Sequence, residues 1–196
     1  MTLQYKRIHR RIILIGLIMI LLGLAGSFEL LLRNDPNTME LPNAFLNAHL
    51  ISLYLQPAIL ALFYSQVLTF HRIRLLVGVR QKTNLMILKL LGLGTIYCTL
   101  FLVALFVPYF FSDHPLFKYG NPLLGTALIV LHIAVLLFLF WLLVGAYNSR
   151  YPYLFLILVI ILDLVYHYYI EKKLLINYSP MYDEVYRIIH HIQGGF

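Results

Sequence analysis

Apolar residues run along this chain in long, nearly unbroken stretches, with polar positions gathered between them. Five stretches stand out: residues 12–32, about 44–70, about 85–111, 123–147 and 151–170. A helix needs roughly 20 apolar residues to cross a hydrocarbon core about 30 Å thick, and each stretch reaches that length. The alternation expected of a membrane strand is missing. Backbone N–H and C=O groups must be paired within the segment when no water is present, so continuous apolar runs predict helices. The expected fold is an all-α integral membrane bundle of about five spans, forming one domain. His49, Gln56, Pro57 and Gln66 interrupt the second stretch, and Pro57 predicts a kink or a tilt there.

The connections follow from the same pattern. Segments 33–43 and 112–122 carry Pro, Asn and Asp and read as loops. The turn at 148–152 is so short that spans four and five must form an antiparallel hairpin. Residues 171–196 are too polar to cross. They read as an amphipathic tail, with Val185, Ile188, Ile189 and Ile192 at helical spacing.

Composition sharpens this picture. Of 196 residues, 61% are apolar and 12% charged, against about 45–50% and about 25% in soluble domains. A soluble globular domain, a disordered chain and a disulfide scaffold are excluded, and no polar stretch could build a soluble catalytic domain. Cys98 is the single cysteine, so no intrachain disulfide or Cys-based metal or redox motif can form.

The net charge of +7 has two sources to choose between. Nucleic-acid binding would need a soluble basic domain, and none is visible. Basic residues instead mark the cytoplasmic side. With the N-terminus cytoplasmic, the inner side holds Lys6, Arg7, Arg10, Arg11, Arg72, Arg74, Arg80, Lys82, Lys89 and Arg150, ten of the 15 cations. The outer side keeps Arg33, Lys118, Lys172, Lys173 and Arg187. Every acid except Asp163 falls on or near the outer side. The first apolar run exceeds the roughly 7–15 residues of a signal sequence core and has no small-residue cleavage site after it, so it reads as a retained span.

Candidate chemistry is sparse. Asp163 and His167 stand four apart in span five, on one helix face. A carboxyl group inside a membrane costs about 2.5–3.5 kcal/mol on insertion scales. Such a pair could relay protons, bind a cation or meet a polar substrate. It could equally be a structural pair, with His167 satisfying Asp163. Glu29, with Arg33 one turn on, reads as a helix-end ion pair. His132, near the middle of span four, and Gln56 and Gln66 read as interior residues bonded to neighbouring helices. His49 and His132 at different depths give little support for a haem. No HExxH or GxSxG motif is present, and His190-His191 lacks the spacing of a metal site. No catalytic residue and no metal ligand is assigned.

The inner connection between spans two and three is the most informative segment. Arg72, Arg74, Arg80 and Lys82 are interleaved there with Leu75, Leu76 and Val79. Such a segment can lie on anionic lipid or dock a cytosolic partner. In layout, the basic segment 5–11, the loop 71–84 and the run Lys89-Leu90-Leu91 resemble the small ABC-2-type transporter permeases, including those of bacteriocin and peptide export or immunity systems. The resemblance covers roughly residues 5–110. It implies that the loop is a coupling helix seated on a separate ATPase. It further implies that the permease pairs with itself or a sister subunit, in a bacterial inner membrane. Permeases of that kind usually have six spans, one more than this chain. The P-loop pattern is absent here, so ATP would be bound by the partner and no cofactor by this chain. Two other functions remain in view: a non-transporting accessory or immunity protein that binds partners in the bilayer, and a proton-coupled membrane protein using Asp163 and His167.

Overall fold

A computed structural model describes residues 2–32, 40–72, 74, 82–112, 116–118 and 120–179, with side chains from residue 8 onward. The elements are helical throughout. Helix α1 spans Thr2–Leu32 and the short α2 spans Leu41–Leu46; α3, Gln56–His71, is entered through a π turn at Ile51–Leu55. Helix α4 is Thr83–Phe110, and α5 is Pro122–Val144, closed by a 3₁₀ turn at Gly145–Tyr147. Helix α6, Pro152–Val165, runs through a second π turn, Tyr166–Glu171, into α7, Lys172–Tyr178. Among the described residues there is no strand. Five helical segments are long and apolar enough to cross a membrane: Ile8–Leu32, Ile51–His71, Thr83–Phe110, Pro122–Tyr147 and Pro152–Tyr178.

Two boundaries differ from the sequence expectation, each for a local reason. The second stretch is not one helix. It divides into α2 and a span that begins at Ile51. Pro57 has no N–H to give, and its ring crowds the carbonyl one turn back. The chain relieves this by widening the turn before it, so that the Gln56 N–H bonds the Ile51 carbonyl five residues earlier. The fifth span does not stop at residue 170. It continues through Glu171, Lys172 and Lys173 to Tyr178, because Leu174, Leu175 and Ile176 resume the apolar run and Glu171 is buried rather than hydrated. The remaining tail, with Val185, Ile188, Ile189, Ile192 and the His190-His191 pair, lies outside the described residues.

Helix starts follow their sequences. The Asn121 side chain caps α5 by accepting from the Leu123 N–H at 2.9 Å, and Pro122 occupies a first-turn position where no N–H is missed. Pro152 does the same for α6.

Packing is led by α1 against α4, which run parallel. Gly23 makes this possible: a Cβ there would meet the Phe101 carbonyl oxygen at 2.5 Å and the Ala104 Cβ at 2.7 Å. Small residues let membrane helices approach this closely. The Tyr97 hydroxyl donates to the Ile12 carbonyl at 3.0 Å, and Cys98 is buried beside it. The outward faces are apolar: Leu14, Leu21, Phe28, Leu123, Phe138 and Ile161 are all exposed. A soluble fold would hide such a belt, whereas lipid solvates it. One end of the bundle holds Arg11, His71, Arg74 and the 145–152 turn. The other holds α2, the start of α5 and the end of α7, where the Leu41 N–H bonds the Leu116 carbonyl at 3.3 Å.

Candidate functional site

The polar residues of three spans meet at one place in the bundle interior. His132 on α5 is the centre. It lies ten residues from Pro122, about 15 Å along the helix, in the half of the bundle away from the end that holds Arg11, His71 and Arg74. The Gln56 Nε2 atom lies 2.6 Å from His132 Nε2. An amide nitrogen can only donate, so His132 Nε2 accepts. His132 is therefore neutral in this arrangement, with its proton on Nδ1, and that N–H donates to the Glu171 Oε1 atom in a short bond. The second Glu171 oxygen, Oε2, accepts from His167 Nδ1 at 2.8 Å. One carboxylate thus receives two imidazole N–H groups. Gln56, His132, Asp163, His167 and Glu171 are each no more than 3% exposed.

Both π turns serve this cluster. Gln56 closes the first, and His167 and Glu171 lie within the second. A π turn adds a residue to the helical round and re-aims the side chains that follow, and such turns are frequent at functional sites. Aromatic rings complete the surroundings. Phe45 meets the His132 ring edge-on with centroids 4.6 Å apart, and Tyr166 lies at 6.0 Å. The exposed His49 ring stands 6.3 Å from His167.

Two atoms of the cluster have no hydrogen-bond partner: Asp163 Oδ2 and His167 Nε2. The spacing leaves open whether His167 satisfies Asp163, and in the bundle it does not. His167 turns its Nδ1 toward Glu171, one turn further on, and Asp163 is left with an open oxygen. Glu171 was assigned to the hydrated tail and is instead the acceptor that joins the histidines. Its signal in the sequence was the His167-to-Glu171 spacing together with the apolar residues after Lys173. The geometry also bears on haem ligation by His132, because both of its ring nitrogens are already bonded. Among the described residues, no group of three or more His, Cys, Asp and Glu could hold a metal ion.

Other candidates lie elsewhere. Glu29 is half-buried and opens on an apolar cavity of about 370 Å³ with Ala25, Phe28, Leu32 and Leu50. Its expected partner Arg33 lies outside the described residues. Gln66 is fully buried, away from the cluster toward the end that holds His71, and its amide atoms make no hydrogen bond.

The basic segment between the second and third spans is partly described. Leu75, Leu76, Val79 and Arg80 lie outside the described residues, while Arg72 and Lys82 are exposed. Arg74 turns back to the bundle: its Nη1 donates to the Ser149 carbonyl at 2.9 Å and the Asn148 carbonyl at 3.4 Å. His71 Nδ1 donates to the Tyr147 carbonyl at 2.9 Å. The connection after α3 is thereby bonded to the turn between α5 and α6.

These helices and their lipid-facing surfaces define a multi-pass helical membrane protein. No family model, curated protein or solved structure matches the chain.

Proposed function

We propose that this protein is the membrane-spanning permease subunit of an ATP-driven transporter, working with a separate cytosolic ATPase. In this reading the N-terminus is cytoplasmic and the membrane is a bacterial inner membrane. The substrate class is a peptide or another amphipathic molecule. The observation that supports it is the bonding of the inner loop to the fourth and fifth spans. Arg74 and His71 hold three successive inner carbonyls, those of Tyr147, Asn148 and Ser149. A partner that pushes on residues 71–84 would therefore move the 147–149 turn, and with it both helices of the hairpin. Two copies, or one copy and a sister subunit, would enclose a path, which the motion would open alternately to each side.

The test is the pair of substitutions Arg74→Glu and Arg80→Glu in the full-length chain, followed by gentle-detergent co-purification. The wild type should bring down a stoichiometric P-loop protein, and the double variant should lose it or its coupled activity while keeping its elution profile. A wild type that co-purifies with no nucleotide-binding protein overturns the reading. So does a variant that binds an ATPase and transports normally.

A further inference from the structure

The buried cluster carries an inference that does not depend on the permease reading. We propose that Asp163 and His167, held in place by Glu171 and His132, form a proton-binding site within the membrane bundle that takes up and releases one proton.

The argument is a count of protons over fixed bonds. The cluster contains two carboxyl groups and two imidazoles. His132 has no freedom: its Nδ1–H is given to Glu171 and its Nε2 accepts from Gln56. Glu171 has little, because both its oxygens accept N–H groups, which is the bonding of a carboxylate. The places left for a mobile proton are Asp163 Oδ2 and His167 Nε2, the two unpartnered buried atoms of the cluster. With one proton between them, the cluster carries a net charge of −1, set by Glu171. With two, Asp163 is a neutral acid, His167 is an imidazolium, and the imidazolium balances Glu171.

Burial decides between the two forms. An uncompensated charge in a dry interior is costly, and a paired one is much less so. The closed bundle therefore favours the loaded, electroneutral form. Loading moves one proton from water onto the pair and breaks no other bond. Any motion that admits water to the cluster favours its release. The neighbouring groups do not upset this count. The charged groups acting on Asp163 are His132, Glu171 and His167. Tyr166 beside His132 is a neutral phenol and adds no charge. His49 is exposed, on the approach to α3, with its ring facing that of His167. Gln56 contributes no charge.

The site's chemistry fits an exchangeable proton, taken directly or delivered by a water molecule.

The experiment is infrared difference spectroscopy on the full chain in lipid nanodiscs, between acidic and alkaline buffers, in H2O and D2O. The wild type should lose an imidazolium band on going to alkaline buffer while the carbonyl band of a protonated acid persists and shifts. Asp163→Asn should remove the acid band, and His167→Gln should remove the imidazole change while the fold, followed by gel filtration, is kept. Proton uptake measured in weak buffer should fall by one proton per chain in His167→Gln. A wild-type spectrum with no buried carboxyl or imidazole titration across the range where the chain stays folded overturns the proposal, without recourse to any variant. An acid band that Asp163→Asn leaves in place overturns it equally.

Discussion

The two polar regions of this molecule obey different rules. At one end of the bundle, Arg74 and His71 bond to backbone carbonyls in half-exposed surroundings, with exposed Arg72 beside them. In the interior, His132, His167 and Glu171 bond side chain to side chain, and water does not reach them. The first arrangement can be lost and replaced by water at little cost. The second has no substitute for any partner removed. One region suits reversible contact with something outside the bundle, and the other suits a small number of fixed states.

Substitution should expose that contrast, and the largest effect belongs to the interior. Glu171→Ala strands two imidazole N–H groups in a dry site. Each unsatisfied group costs about 1–3 kcal/mol, so the loss should reach about 3 kcal/mol, seen as a lowered thermal midpoint in detergent. Glu171→Gln keeps an acceptor oxygen and should recover part of it. Gln56→Leu comes next. It leaves only His132 Nε2 without its donor, and about 1–2 kcal/mol should be lost in the same measurement. Arg74→Ala should be smallest, below about 1 kcal/mol, because water can replace its half-exposed hydrogen bonds to the Asn148 and Ser149 carbonyls. If Arg74→Ala proved as damaging as Glu171→Ala, the distinction between a replaceable anchor and a fixed cluster would fail. Arg74→Ala should nonetheless weaken coupling to a partner if residues 71–84 receive one, so stability and activity should separate at this position and move together at Glu171.

The spans themselves were legible because lipid imposes a simple rule, a long apolar run for each crossing. The starts of α4 and α5 fall within two residues of the expected ones for that reason. What could not be read was the company each polar residue keeps. Glu171 begins the run Glu171-Lys172-Lys173, and three charges in a row read as the water boundary. In the bundle the charges part, with Glu171 turning inward while the Lys172 ammonium lies over the Tyr168 ring at 5.1 Å. Which way a side chain turns depends on helix rotation and on the π turn before it, and neither is written in hydropathy. Asp163 and His167 were found as candidates because ionisable residues inside a membrane are rare. Their partners stayed open because a four-residue spacing permits a contact without requiring one. Gln56 and His132 lie 76 residues apart, and no local pattern joins them.

The parallel packing of α1 on α4 has a consequence for how the chain is made. The first helix leaves the insertion machinery long before its main partner exists. Gly23 cannot seat against Phe101 and Ala104 until the second span has crossed back and the third has followed. Through that interval α1 has at most the second span beside it, against which Gly26 meets Leu55 and Ile51, while the close-approach face at Gly23 is turned to lipid. Assembly of this protein is thus late and long-range, and a chain truncated within α4 should leave its first span without a dock.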